Sequence, residues 1–498
     1  MSGEVGRKAT RGALITLVGG VPFQLLTAAL TLLTARCLTP GDYGQYSLAF
    51  SIYGVSAMLS NPAFPTYVIR NPTCSDHTID AAWTLSALRG IALVALFWVL
   101  APLLSVAFGG DARVTLLLRI LAGGFLLNGL KNLHVLRYQH QLRFGLVLLL
   151  DGAGTVAAAL TSIALLLLGG DALALAIGTT AGAAATSLVS WIAGPRLARL
   201  RFDRAEYARM WAFTRHLLLN NVILYALKNL DNLVVAKLAG TAALGLYAMS
   251  YNLVNTTVMF VIRPLSNVLL PAMARVAEDR ERFTRATLSV VSAFAAIAWI
   301  ITAWGWVYAP ELFVVLGGRR TGWESATPIF RALLPFVLVR AVNNAMSAMV
   351  TAAGEPHHLN VVSGAQLALM VPLAVAGFWL FGFIGLSITI SVLAAGTMLA
   401  LMLLARRFIA ASSLDLLAQT LAPMPAAVAA AAAALLATSP CEGVVLRLVM
   451  GAAIALPVFA VAWEGTCRLP APFLRHASST ATILKTTIRR STPAAAAP

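Results

Sequence analysis

Residues 35–52, ARCLTPGDYGQYSLAFSI, and residues 236–253, AKLAGTAALGLYAMSYNL, align without a gap, so that Arg36 falls on Lys237, Gly44 on Gly245 and Tyr46 on Tyr247. In each copy a basic residue closes one apolar run and a Gly-x-Tyr opens the next. The small residues allow helices to approach closely, and the tyrosine suits a membrane interface. An even number of apolar runs separates the copies, as a parallel repeat requires, so the pair predicts two homologous lobes of the same orientation.

Working outward, the 498 residues are 59% hydrophobic and only 11% charged, with a mean hydropathy of +0.82. Those values lie far outside the soluble norm and identify a polytopic membrane protein. Apolar runs of about 20 residues recur with short polar gaps, which favours one integral membrane unit over several soluble domains. The expected fold is all-α, with about fourteen transmembrane helices: two pseudo-symmetric six-helix lobes in a V shape around a central cationic cavity, plus two extra C-terminal helices. The expected divisions are a cytoplasmic N-terminus over 1–12, an N-lobe over 13–193, a cytoplasmic amphipathic helix as linker over 194–215, a C-lobe over 216–404, the extra spans over 405–463, and a basic, partly disordered tail over 464–498. The weakest spans are 44–64, rich in Ser, Tyr and Pro, and 212–236, which carries several Asn with Lys228 and Asp231.

Loop charge sets orientation, because Lys and Arg are retained on the cytoplasmic side during insertion. With the N-terminus inside, the outside loops hold only Arg36, Arg113, Lys237, Arg319 and Arg320, and most other basic residues fall inside. Both termini are expected in the cytoplasm. The net charge of +17 follows from this bias and from attraction to anionic membrane lipids, so no nucleic-acid partner is expected. Cys37, Cys74, Cys441 and Cys467 have no CxxC spacing and read as free thiols. His357 and His358 sit together with no third ligand near in sequence, and no metal and no cofactor are expected.

Six basic side chains, Arg89, Arg119, Lys228, Arg263, Arg331 and Arg340, lie inside the predicted spans with almost no carboxylates beside them. A cation at the bilayer centre costs roughly 2.5–3.5 kcal/mol even on the gentler insertion scales, so several together imply a wet cavity and an anionic cargo. Arg89 and Arg119 are the foremost cavity candidates. Arg331 and Arg340 are nine residues apart, which opposes them on a helix, so at most one lines a lumen. Gln24, Asn220, Asn221, Tyr225, Asn255 and Asn343 are candidates for contacts to a polar cargo. Asp231 is the candidate for ion coupling, and Lys228 and Asp231, at i and i+3, equally suit an internal ion pair.

The segment TARCLTPGDYGQYSLAFSI, residues 34–52, resembles the first hairpin of the polysaccharide transporter branch of the multidrug/oligosaccharidyl-lipid/polysaccharide (MOP) exporter superfamily, which includes O-antigen and exopolysaccharide flippases. Residues 252–283, NLVNTTVMFVIRPLSNVLLPAMARVAEDRERF, are similar to that family's eighth span and the basic loop after it. Asn61-Pro62 departs from the family's more usual acidic or small polar residue at the end of the second span. The resemblance implies a two-lobed flippase that moves polyprenyl-pyrophosphate-linked oligosaccharide across the bacterial inner membrane by alternating access. Its partners would be that substrate, membrane lipids and the polysaccharide assembly machinery.

An enzyme is not expected. There is no GxxxxGK[ST] phosphate loop, and no outside loop is long enough for a catalytic domain. Two alternatives stay open: a multidrug cation exporter of the same fold, which would want buried carboxylates such as Asp151 or Asp231, and a membrane polymerase or ligase acting on lipid-linked glycans.

Overall fold

A computed structural model describes residues 2–59, 64–71, 74–141, 143–317 and 322–467. Asn61 and Pro62, Arg319 and Arg320, and the basic tail from 468 onward lie outside the described residues. Among those described there are helices and two short 3-10 turns, with no strand. The helices in chain order are α1 (Ser2–Cys37), α2 (Pro40–Leu59), α3 (Phe64–Arg70), α4 (Asp76–Ala107), α5 (Ala112–Gly129), α6 (Arg137–His140), α7 (Phe144–Leu167), α8 (Ala172–Ala193) and α9 (Arg204–Ala274). They continue with α10 (Arg280–Val307), α11 (Ala309–Gly317), α12 (Thr327–Leu333), α13 (Pro335–Ala352), α14 (His357–Ala405), α15 (Ser413–Leu421), α16 (Met424–Thr438) and α17 (Val444–Cys467).

Ten helical segments are long and apolar enough to cross a membrane, or eleven if the pair Trp323–Leu333 and Pro335–Ala352, bent by 40°, counts as one span. This is fewer than the fourteen expected, and glycine explains part of the difference. The 49 residues of α14 would run ~74 Å if straight, well over twice the hydrocarbon core. At Gly382 the backbone takes φ +64°, a left-handed turn that side chains with a Cβ resist, and the chain doubles back. A methyl group added at Gly377 would lie 2.0 Å from Thr389 Oγ1 across that corner. Gly240, with φ +85°, makes the equivalent corner in α9.

The chain packs as two units, Met1–Ala248 with Leu316–Trp323, and Met249–Val315 with Glu324 onward. The division by packing therefore falls inside α9, whereas the sequence placed the change of lobe at 194–215. Met210, on the first part of α9, explains the difference: it is fully buried among Phe64, Val68, Ile79 and Trp83 of the first unit.

In the first unit, close helix pairs meet through small residues. A methyl group added at Gly182 would lie 2.7 Å from the Gly154 carbonyl oxygen, and one at Gly129 would lie 2.5 Å from that of Ser86. Asp111 and Asp171 cap α5 and α8 by accepting backbone N–H bonds.

Residues 194–203 are not the amphipathic helix the sequence suggested. Gly194-Pro195 stops α8, Asp203 caps the start of α9, and the chain between is an extended strap. The strap's backbone is tied down: Arg199 N–H donates to Asp80 Oδ1 at 3.1 Å, Arg201 N–H to Thr84 Oγ1 at 2.8 Å, and Asn132 Nδ2 donates to the Arg196 carbonyl at 2.8 Å. His134, fully buried, reaches Asp80 through Nε2 at 2.9 Å, while Asp76 pairs with Arg137 and Arg196.

In the second unit, α10 is the central helix, packing against α13, α15, α16 and α17. The capping box of Ser412 and Asp415 starts α15. The C-terminal pair α16 and α17 seats alanines 430, 434 and 455 around Tyr308, whose hydroxyl lies 2.8 Å from Thr438 Oγ1. Glu311 and Arg447 pair at 3.3 Å. Cys37, Cys74 and Cys441 are free.

Candidate functional site

Arg89, Arg119, Arg331 and Arg340 have aromatic neighbours in place of acidic ones. Among the described residues no ion pair includes Arg89, Arg119, Arg331 or Arg340. The Arg119 guanidinium sits 5.4 Å from the Trp98 ring centroid and donates to the Trp98 carbonyl at 3.5 Å. Arg331 repeats the arrangement in the second unit, 6.0 Å from the Trp306 centroid, with Nε donating to the Trp306 carbonyl at 2.9 Å. Both tryptophans are about half exposed. An aromatic face stabilises a cation by roughly 0.5–1 kcal/mol at an exposed site and more when desolvated, without cancelling its charge.

Arg89 lies beside Tyr53, and its Nε and Nη1 are buried without a hydrogen-bond partner among the described residues. Nine residues separate it from Trp98 on α4, a rotation of about 900°, which puts the two on opposite faces. Arg89 and Arg119, both foremost candidates in the sequence, therefore do not share a site within this unit. Arg331 and Arg340 are likewise divided: the first is engaged with Trp306, and the second lies 5.8 Å over Phe336.

Arg340 and Asn343 are brought together. With Asn344, Ser347, Gln366 and Thr397 they line a cavity of about 220 Å³ between α13 and the two halves of α14. Asn344, Ser347 and Gln366 were missed in the sequence, although positions 340, 343, 344 and 347 carry a helical period that could have revealed them. A second, apolar cavity of about 350 Å³ in the same unit is lined by α9, α10, α11, α12, α13 and α17, including Val254, Ile300, Trp304, Phe330, Val337 and Leu456.

Asp231 is 4% exposed, and its Oδ2 accepts from the Tyr247 hydroxyl at 2.6 Å across the Gly240 corner. Beside it, Asn232 Nδ2 donates to Ser51 Oγ at 3.1 Å. The side chains of Asn220, Asn221, Lys228 and Arg263 lie outside the described residues. Gln24 is exposed on α1, Asn255 is half-buried on α9, and Asp151 is exposed on α7. His357 and His358 have a third group with a donor atom near in sequence, contrary to the expectation: Glu355 lies 3.2 and 3.8 Å from their ring nitrogens, and the three donor atoms fall within 4.8 Å of one another.

Comparison with known proteins agrees with this architecture. A family model described as "Polysaccharide biosynthesis protein" matches residues 33–328, more than half of the chain. The chain is 20% identical over 356 residues, 71% of its length and 72% of the relative's, to the lipopolysaccharide biosynthesis protein WzxC of Escherichia coli (strain K12). Among solved structures, the lipid II flippase MurJ in an inward closed conformation superposes with a TM-score of 0.73 at 13% identity, covering 91% of this chain and all of that one. An inward-facing multidrug resistance MATE family transporter of the MOP superfamily superposes with a TM-score of 0.64 at 15% identity, covering 77% and 94%. The family match covers more than half of the chain, and the chain belongs to the polysaccharide biosynthesis protein family.

Proposed function

We propose that this protein is a flippase that carries polyprenyl-pyrophosphate-linked oligosaccharide across the bacterial inner membrane by alternating access, with both termini in the cytoplasm. The observation that carries the reading is the set of intramembrane guanidinium groups that lack carboxylate partners among the described residues. A guanidinium stays charged at any physiological pH and binds phosphate oxygens through paired N–H donors, so it suits a pyrophosphate headgroup. Arg89, with two buried and unpartnered nitrogens, is the residue assigned to pyrophosphate binding, and Arg340, at a polar cavity, is assigned to the oligosaccharide part of the same cargo. Lys228, Arg263, Asn220, Asn221, Asn255 and Gln24 remain assigned to the same cargo on sequence grounds. Arg119 and Arg331, each engaged with a tryptophan, take a supporting role. The apolar cavity around Ile300 and Phe330 suits a stretch of polyprenyl chain. Asp231 is the residue assigned to ion coupling, and the polysaccharide assembly machinery is the expected partner.

The test is flipping of a fluorescent polyprenyl-pyrophosphate oligosaccharide in proteoliposomes, comparing the wild type with Arg89→Ala and Arg340→Ala at matched insertion. Protein-dependent flipping that either substitution lowers at least about tenfold, equivalent to 1.4 kcal/mol, supports the reading. Transport of an organic cation with no movement of the lipid-linked probe would overturn it in favour of a drug exporter.

A further inference from the structure

The polar cavity of the second unit has features that packing does not require. Arg340, Asn343, Asn344 and Ser347 recur along one face of α13, while Val339, Val342, Met346 and Met349 fill its buried face. Gln366 and Thr397 complete the lining from the two halves of α14. Arg340, Asn343, Asn344, Ser347 and Gln366 are all only partly buried. Hydrocarbon cannot satisfy amides, a hydroxyl and a guanidinium, so water or a polar solute must meet them there.

The lining also states what kind of solute. Asn343 Nδ2 donates to Thr397 Oγ1 at 3.1 Å, and its Oδ1 is buried with no donor among the described residues. A buried acceptor of that kind calls for an O–H or N–H from outside the protein. Amides and hydroxyls together both donate and accept, which matches the alternating demands of sugar hydroxyls. No carboxylate lines the cavity, and the single guanidinium favours a ligand that is neutral or carries one anionic substituent. At about 220 Å³ the cavity is smaller than the ~300–1,000 Å³ pockets of drug-sized ligands, so it accepts part of an oligosaccharide and not the whole.

We propose that this cavity is a saccharide subsite, in which Asn343, Asn344, Ser347 and Gln366 bind hydroxyl groups of the glycan and Arg340 faces its anionic substituent. The assignment rests on the transport reading above, but it concerns recognition of the sugar and not of the pyrophosphate.

The experiment uses full-length protein in which Cys37, Cys74, Cys441 and Cys467 are replaced by Ser, carrying Ser347→Cys or, independently, Gln366→Cys. Each thiol is labelled with a small hydrophilic methanethiosulfonate in membranes from two versions of the native host. One makes its lipid-linked saccharide, and the other is blocked at the first sugar transfer, so that it holds only the carrier phosphate. The expected result is labelling at both positions in blocked membranes and about tenfold slower labelling in producing membranes, the protection given by ligand at ten times its Kd. Equal rates in both membranes, or no reaction at either position, would overturn the subsite. Flipping without protection removes the subsite and leaves the transporter, whereas protection without flipping does the reverse.

Discussion

Gly44 and Gly245 face each other as reciprocal partners. A methyl group added at Gly44 would lie 1.7 Å from the Thr241 carbonyl oxygen, and one added at Gly245 would lie 1.8 Å from the Pro40 carbonyl oxygen. The same shift in sequence relates Pro40 to Thr241 and Gly44 to Gly245, so corresponding positions of the two segments meet in both contacts. The motif that revealed the repeat is thus also the surface through which its two copies touch.

Alanine at either glycine should force these helices apart. Gly44→Ala and Gly245→Ala are each expected to destabilise by about 3 kcal/mol, the upper end of overpacking costs. The double variant should cost less than the sum, because the first substitution already opens the shared contact. Thermal unfolding of purified protein in detergent checks both statements, and equal stability of wild type and either single variant would refute the packing argument.

Asp231 and Tyr247 provide a second test. Tyr247→Phe removes the donor to a buried carboxylate and should cost about 1–3 kcal/mol, since a buried acceptor then goes unsatisfied. Asp231→Asn keeps an acceptor for the same hydroxyl and should cost less. If Asp231 couples ion movement, Asp231→Asn keeps its fold while flipping loses its dependence on an imposed ion gradient.

The four described arginines should separate by role. Arg119→Met and Arg331→Met are expected to change flipping by less than about threefold, or roughly 0.7 kcal/mol, because each guanidinium already rests on a tryptophan. Arg89→Met and Arg340→Met should lower it by more than about tenfold. Loss of flipping in Arg119→Met at normal expression would reverse the assignment.

The strap over 194–203 offers a test by proteolysis. Asp80→Ala removes the acceptor for the Arg199 N–H and for His134. Trypsin cleavage after Arg196, Arg199 or Arg201 should then rise by about tenfold, as expected if about 1.4 kcal/mol of local protection is lost. Asp80→Asn, which keeps one acceptor oxygen, should fall between. An unchanged cleavage rate in Asp80→Ala would show that side-chain contacts, not the buried bonds, hold the strap.

Composition and periodicity determined by themselves that this chain is an all-helical membrane protein, because burying helices in hydrocarbon demands long apolar runs that any reading of the sequence exposes. The Gly-x-Tyr repeat and the surplus of intramembrane arginine were equally open to view, since charge and residue identity are one-dimensional facts. What a given arginine touches is not. The sequence could oppose Arg331 and Arg340 by helical rotation, but only the fold placed Arg331 on Trp306 and Arg340 in a cavity with Gln366, a residue from another helix. Only the fold could show residues 194–203 as an extended strap, because its amphipathic spacing fits a surface helix and the deciding bonds come from Asp80 and Thr84, over a hundred residues away. Spacing determines which residues can share a helix face, whereas tertiary packing decides which faces meet, and the choice among them depends on contacts between residues far apart in the chain.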